Sequence, residues 1–235
     1  MLRDLRPEWM DDPAIDPLEH AQALAGLARL NRYTGVASLM YRYVRRLTKN
    51  RLLSATTPRP LKVLDVASGG GDVPIAWARQ AKRDGVDLQI TMLDISPVAI
   101  EQQQRLARAR GVNVTSIQMN CLTEPLPTGF DLVTNSLFMH HLEVADAINL
   151  LRQMRAATDN AILVCDLERS RLNVGLVAFA SRVLSRSKVV HHDGPQSVRG
   201  SFTRNEFADL GQYAMGTPIQ MHRALPCRFI AYHVA

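Results

Sequence analysis

The side chains best suited to proton chemistry are histidines, and two pairs of them lie in the second half of the chain. His140-His141 follows a predicted strand, and His191-His192 directly precedes Asp193. A positioned histidine can take a proton from a reacting hydroxyl, which accelerates a reaction by about 10²–10⁴-fold. The same histidines could instead bind backbone carbonyls, and adjacent histidines are poorly spaced as metal ligands. We therefore take His140 and His192 as candidate bases and expect no metal site.

A glycine-rich turn forms the sharpest motif of the chain. Residues 63–72 read VLDVASGGGD, a buried strand that carries Asp65 and ends in three glycines. Glycines at that point let the backbone approach a ligand and aim N–H groups at it. A dinucleotide fingerprint would need glycine at Pro74, and a Walker loop would need the Gly-Lys pair that is absent here. Asp65 beside the turn, and Asp94 at the end of the next strand, favour a cationic nucleoside as the ligand.

Strands and helices alternate around this turn. Predicted strands occupy residues 62–67, 88–94, 113–119, 131–136 and 161–166, with helices near 73–82, 98–110 and 144–157. Short apolar strands separated by helices indicate a parallel sheet that is covered on both faces. After residue 166 we expect a helix at 172–184, a polar loop at 185–201 and a helix from the capping box Thr203–Glu206 to about 214. Two antiparallel strands, 218–225 and 228–234, would close the sheet.

The N-terminal region is predicted to be helical. Apolar residues recur every three or four positions over 24–30 and again over 36–47, and a proline linker at 56–60 follows. We expect both helices to fold over the binding pocket as a lid. The predicted organisation is an N-terminal extension of residues 1–60 and an α/β domain of residues 61–235, in which residues 168–202 form a lid segment.

At this point the sequence resembles the class I S-adenosylmethionine-dependent methyltransferases. Residues 64–71 resemble their first motif, Leu93–Ser96 the second and Phe130–Leu142 the motif of the fourth strand, while Met119–Cys121 lies where the family places an adenine contact. The resemblance implies a doubly wound, seven-stranded, mostly parallel sheet and S-adenosylmethionine as cofactor. Implied cofactor contacts are Asp65, Ala67, Ser68, Gly69, Gly71, Asp94, Ile95, Asn120, Cys121, Asn135 and Ser136. Ala67 departs from the usual first glycine, and Asn120 from the commoner aspartate.

A second resemblance concerns the acceptor. Residues 192–203 are similar to a lid segment of bacterial small-molecule methyltransferases that are related to enzymes of quinone biosynthesis and polyketide tailoring. It implies that His192 and Arg199 line the acceptor pocket and that Arg199 stabilises an oxyanion. A plain surface loop is the competing interpretation.

Composition limits the remaining alternatives. The chain has 235 residues and a formal net charge of +6, so a basic surface could serve nucleic acid. However, the Pro-Pro motif that amino-methylating nucleic-acid enzymes carry after the fourth strand is absent, and aromatic residues make up only 6%. Cys121, Cys165 and Cys227 form no Cys-x-x-Cys pair, which is typical of a reducing compartment. Neither an apolar leader nor a membrane span is predicted.

We therefore expect a cytoplasmic enzyme that methylates a small aromatic, phenolic or lipid-like acceptor, on oxygen rather than carbon. An inward apolar stripe on the N-terminal helices would suit a bulky, greasy acceptor, and we allow for a homodimer. Two alternatives stay open, namely an RNA methyltransferase and a non-catalytic nucleoside-binding module of the same fold.

Overall fold

A seven-stranded sheet runs through the centre of the computed structural model, which describes residues 1–12, 14–54 and 59–234. Its strands are β1 (Leu61–Val66), β2 (Leu88–Asp94), β3 (Thr115–Gln118), β4 (Phe130–Ser136), β5 (Thr158–Leu167), β6 (Gln220–Ala224) and β7 (Arg228–Val234). Their order is β3-β2-β1-β4-β5-β7-β6; the first five are parallel, and β7 is antiparallel to both β5 and β6. The predicted fold class is confirmed. The strand order reverses beside β1, where open α/β sheets bind their ligands.

Eight helices of the described residues accompany the sheet. They are α1 (Pro17–Thr34), α2 (Val36–Ser54), α3 (Asp72–Arg83), α4 (Pro97–Arg110), α5 (Val144–Ala156), α6 (Arg171–Leu184), α7 (Lys188–Gly200) and α8 (Arg204–Met215). The side chain of Asp16 caps α1, and the predicted capping box of Thr203 and Glu206 begins α8. None of the described helices is both long and apolar enough to cross a membrane. Residues 56–58 of the predicted linker lie outside the described residues.

The two faces of the sheet bury separate cores. On one face, α2 and α3 share a buried cluster with the strands that includes Met40, Val44, Val63 and Trp77. On the other, α5 and α8 do the same through a cluster that includes Leu150 and Phe207. The strands therefore carry apolar residues on both sides, as a covered parallel sheet requires.

The N-terminal helices differ from the expected two-helix lid. Met40 and Val44 of α2 are fully buried, and the Trp77 indole donates a hydrogen bond to the Ala37 carbonyl (2.9 Å), so α2 covers the sheet. Of the two N-terminal helices, α1 is the one that lies over the glycine turn, where the side chain of Leu24 is the nearest neighbour of a Cβ built at Gly69. The apolar stripe of α2 thus serves the core, because the sheet face beside α3 would otherwise be open to water. The predicted boundary between residues 60 and 61 stays a prediction.

The predicted polar loop at 185–201 is also wrong, because most of it forms α7. The Ser187 hydroxyl accepts from the Val190 N–H at the start of this helix, and Val190 and Val198 are buried. Gly194-Pro195 indicates a turn by composition, yet both residues lie inside the helix. Gly194 faces α6 closely, since a Cβ there would lie 3.2 Å from Cγ1 of Val177. Tertiary packing against α6 therefore overrides the local signal.

Candidate active site

The glycine turn joins β1 to α3 in a conformation that depends on its small residues. Gly71 caps α3 with φ of +75°, and a Cβ at this position would lie 2.9 Å from Sδ of Met92. A side chain is therefore excluded at Gly71 by both backbone and space. Ala67 also adopts positive φ (+53°), which costs a non-glycine residue about 1–2 kcal/mol. The departure from glycine at Ala67 is thus accommodated as local backbone strain.

Asp94 holds this turn against the end of β2. One of its carboxylate oxygens accepts from the Gly69 N–H (2.7 Å) and the other from the Ser96 N–H (2.9 Å). Burial raises the pKa of Asp94, although these backbone donors oppose the rise. Each oxygen keeps a second lone pair, so the carboxylate can still accept from a pair of sugar hydroxyls. The next residue, Ile95, is 61% exposed and offers an apolar surface beside the acid.

Asp65 lies buried at the carboxyl end of β1. The Thr134 hydroxyl donates to its Oδ1 (2.6 Å), whereas its Oδ2 has no hydrogen-bond partner among the described residues. Burial raises the pKa of Asp65 to about 7. On the adjacent strand, the Asn135 amide donates to the Val66 carbonyl (2.8 Å), and its own Oδ1 is likewise buried without a partner. Two unsatisfied acceptors on neighbouring strand ends suit a cationic or N–H-bearing ligand.

The other predicted cofactor contacts also lie at the carboxyl ends of the parallel strands. The Ser68 hydroxyl donates to the backbone carbonyl of Asp65 (2.7 Å), and Ser136 is half-buried where β4 ends. The side-chain oxygen of Asn120 accepts from the Leu122 N–H (3.0 Å), so one of its lone pairs closes its own turn. Cys121 is buried, and burial raises its pKa to about 11. The structure thus brings the predicted set together, while the role of each residue stays a prediction.

The carboxylate of Asp166, close to the carboxyl end of β5, fixes the position of His140. Its Nδ1 lies 2.6 Å from Oδ1 of Asp166, and its backbone N–H donates to Oδ2 of the same side chain (3.0 Å). Both residues are buried. A carboxylate at Nδ1 favours the tautomer with hydrogen on Nδ1, which leaves the lone pair of Nε2 free to accept a proton.

An N-terminal strap, residues 1–12, covers the two histidines. Its Glu8 carboxylate lies 4.0 Å from both Nε2 of His140 and Nδ1 of His141, and Asp11 lies 2.8 Å from the latter atom. Burial alone would lower the pKa of His141, but the charges of Glu8 and Asp11 raise it to about 9. A cavity of about 250 Å³ opens here, lined by five residues of the strap, Glu8 and Asp11 among them, and by His140, His141, Glu143, Gln196 and Gly200.

The structure places the other two candidate catalytic residues on α7. His192 stacks on Trp9 at 3.9 Å between ring centroids, and its Nδ1 lies 2.8 Å from the Asp193 carboxylate. Arg199 accepts a backbone hydrogen bond from Asp4 of the strap (3.1 Å), and its guanidinium forms no hydrogen bond to the described residues. His192 and Arg199 therefore border the strap, and their catalytic roles stay predictions.

Comparison with known proteins places this geometry in a family. Residues 63–160 match the family model of a methyltransferase domain. The ubiquinone/menaquinone biosynthesis C-methyltransferase UbiE of Cupriavidus necator is 31% identical over 166 residues, which cover 67% of this chain and 65% of the relative. UbiE of Ralstonia nicotianae is 30% identical with the same coverage. The chain therefore spans about two thirds of the length of these curated relatives.

Solved structures share the fold. A candidate O-methyltransferase from Nostoc punctiforme superimposes with a TM-score of 0.67 at 21% identity, covering 99% of this chain and 64% of that one. The plantazolicin methyltransferase BpumL, in complex with a pentazolic desmethylPZN analog and SAH, gives a TM-score of 0.62 at 15% identity, with 93% and 96% covered. The present chain is a class I S-adenosylmethionine-dependent methyltransferase domain.

Three residues of the methyltransferase domain and its strap were missed by sequence reasoning. Asp166 is the penultimate residue of β5, and Asp94 is the last residue of β2, so an acid near a strand end was a usable signal. Glu8 and Asp11 gave no signal, because they reach the histidines through contacts that span more than 100 residues of sequence. Glu8, His140 and His141 also form a group of possible metal ligands, whose atoms lie within 4.8 Å of one another. The expected absence of a metal stays a prediction.

Proposed function

We propose that this chain transfers a methyl group from S-adenosylmethionine to a hydroxyl group of a small aromatic or lipid-like acceptor. The observation that carries the proposal is the His140–Asp166 pair, which is buried at the carboxyl ends of the parallel strands, while Nε2 of the histidine forms no hydrogen bond within the described residues. Methyl transfer to a neutral hydroxyl needs a group that removes a proton, and this pair is built to do so.

The chain offers matching contacts for the cofactor. Asp94 would accept from the ribose hydroxyls, and Ile95 would pack against the base. The unsatisfied oxygens of Asp65 and Asn135 would accept from the ammonium group of the amino-acid tail. Bound S-adenosylmethionine supplies a methyl group on a positively charged sulfur, so the leaving group needs no further activation. The remaining work of the protein is to align the acceptor oxygen with the methyl carbon and exclude water.

Proton removal falls to His140 in this proposal. Asp166 accepts the Nδ1–H and holds the ring, so Nε2 takes the hydroxyl proton as the oxygen attacks. The resulting imidazolium would be stabilised by Asp166 at 2.6 Å and by Glu8 at 4.0 Å. Buried, prearranged carboxylates are effective here because water screens them little.

The cavity limits the reacting part of the acceptor. At about 250 Å³ it lies below the usual range of roughly 300–1,000 Å³ for ligand pockets, and charged and polar side chains line most of it. This lining supports a single hydroxylated ring at the reaction site. The bulky, greasy acceptor expected from the sequence could place only its reacting group there.

Methylation of carbon is the second candidate, because the curated relatives are C-methyltransferases by name. On a phenolic ring the same base would remove the hydroxyl proton, a ring carbon would attack the methyl group, and loss of the hydrogen on that carbon to solvent as a proton would restore the aromatic ring. Carbon–carbon and carbon–oxygen methyl products are distinguished by the ¹³C chemical shift of the transferred methyl group.

The test is incubation of the full chain with methyl-labelled S-adenosylmethionine and separate pools of phenols, quinols and RNA. We expect label in a phenol or quinol, on oxygen, and a fall of about 10²–10⁴-fold in kcat for His140→Gln with an unchanged Kd for the cofactor. His233→Gln, on the surface end of β7, is the matched control and should keep full activity. Label in RNA, label in no pool, or full activity of His140→Gln would refute the proposal.

A further inference from the structure

Helix α6 exposes an apolar stripe to solvent. Leu172, Leu176, Phe179 and Val183 are 46–71% exposed, and their spacing of four, three and four residues puts them on one face of the helix. The opposite face carries Ser181, which is buried where α6 packs on α7. The stripe covers roughly 16 Å of helix length at 1.5 Å per residue. Soluble surfaces seldom keep four large apolar side chains in one line without a partner.

Four cations lie in the helix that carries this stripe or directly after it. Arg171 and Arg182 lie on α6, and Arg186 and Lys188 follow directly. Residues 169–192 contain no Asp or Glu, and none of these four cations forms an ion pair within the described ranges 1–12, 14–54 and 59–234. Apolar side chains on one face with unpaired cations beside them are the pattern of a helix that lies in a membrane interface.

The stripe also borders the site. Helix α6 begins four residues after Leu167 ends β5, and Asp166 of that strand end holds His140. The turn between β6 and β7 reaches the same edge, where the Glu168 N–H donates to the Cys227 carbonyl (2.9 Å) and Leu225 is 73% exposed. The apolar surface thus adjoins the edge at which an acceptor must arrive.

We propose that α6 docks this chain on an anionic lipid bilayer, with its apolar stripe in the interface and its cations on the phosphate groups. A bilayer fits better than a protein groove, because the stripe is convex and cations lie at both of its ends without paired acids in the described residues. The proposal goes beyond the proposed function and does not depend on methyl transfer. If both hold, the acceptor reaches the site from the membrane surface.

The test is co-sedimentation of the full chain with vesicles, without cofactor or acceptor. We expect binding to vesicles of phosphatidylcholine with 30% phosphatidylglycerol, and weak binding to phosphatidylcholine alone. Leu176→Ser/Phe179→Ser and, separately, Arg182→Gln/Arg186→Gln should each lower the partition coefficient on the order of tenfold. Matched controls are Tyr33→Ser/Val144→Ser, which removes exposed apolar side chains elsewhere, and Arg108→Gln/Arg110→Gln on α4.

Three outcomes would overturn the proposal. The wild-type chain could stay in the supernatant with both vesicle types, or the α6 variants could bind as the controls do. Sedimentation velocity could instead show a dimer that only the α6 variants dissociate, which would assign the stripe to a second copy of the chain. Because vesicle binding is measured without catalysis, failure here leaves the methyl-transfer proposal standing, and failure of methyl transfer leaves this one standing.

Discussion

At the scale of single residues, Asp65 combines burial with an unsatisfied oxygen. Its pKa is raised by burial from an ordinary value of 3.8 to about 7, so at neutral pH the folded protein holds a carboxyl that is only partly ionised. A cationic ligand beside Oδ2 would favour the ionised form. Cofactor affinity should therefore increase as the pH rises through 7, with release of a proton on binding.

When no ligand is present, ionised Asp65 should lower the free energy of unfolding. Because the pKa is higher in the folded than in the unfolded state, the stabilising contribution of protonated Asp65 is complete below about pH 4 and is lost as the pH rises through 7. We predict that Asp65→Asn raises the free energy of unfolding at pH 8 by on the order of a few kcal/mol, and weakens cofactor binding. Urea unfolding at pH 4 and pH 8 checks this. A difference that is as large at pH 4 would contradict it.

The histidine cluster leads to a prediction about metals. Nδ1 of His140 and Nδ1 of His141 each face a carboxylate at hydrogen-bond distance, and the Ser197 hydroxyl donates to Glu8 (2.7 Å). These contacts satisfy Nδ1 of both histidines and one oxygen of Glu8 without an ion, while Nε2 of His140 stays available to the acceptor. We predict that dialysis against EDTA leaves kcat unchanged. Loss of activity that Zn²⁺ or Mn²⁺ restores would show that Glu8, His140 and His141 hold a metal.

At the scale of elements, α1 connects helix stability to the cofactor. The Asp16 side chain accepts from two backbone N–H groups at the start of α1, and Asn31 of this helix donates to Asp72 beside the glycine turn (3.2 Å). Asp16→Ala should cost about 1 kcal/mol of stability and raise the cofactor Kd severalfold, because the cover over the turn frays. Calorimetric titration measures that Kd.

Thr203→Ala is the matched control for this cap. The Thr203 side chain caps α8, but α8 packs with α5 on the face of the sheet that lies away from α2 and α3. It should lose a similar amount of stability and bind the cofactor as the wild type does. Equal effects of the two variants on Kd would show that α1 acts through global stability alone.

Local sequence patterns predicted those elements whose residue preferences agree with their packing in the folded protein. The glycine turn, the acid ending β2 and the Thr203 capping box were predicted because each depends on residues within about ten positions. Helix α7 was not, because Gly194-Pro195 favours a turn locally while packing on α6 keeps the helix intact. The contacts of Glu8 and Asp11 with the histidines were beyond prediction, since no periodic pattern records a pairing over such a sequence distance.

At the scale of the whole molecule, the first 60 residues do two different things. The strap and α1 cover the ligand-binding edge, whereas α2 completes the core around Trp77. We predict that a chain of residues 61–235 shows no cooperative thermal transition, because it exposes the apolar face that α2 covers. A chain lacking only residues 1–12 should unfold cooperatively, bind the cofactor and lose methyl transfer. Circular dichroism, titration and the labelled assay measure these outcomes.

The strap and α1 are consecutive in the chain, and this order has a kinetic consequence. The strap closes over His140, and α1, which ends at Gly35 in a left-handed conformation, closes over the glycine turn. Because only residues 13–16 separate the strap from α1 in the sequence, we expect the two segments to open together. We expect the methylated product and the demethylated cofactor to dissociate together after each turnover, with a single dissociation rate constant for both.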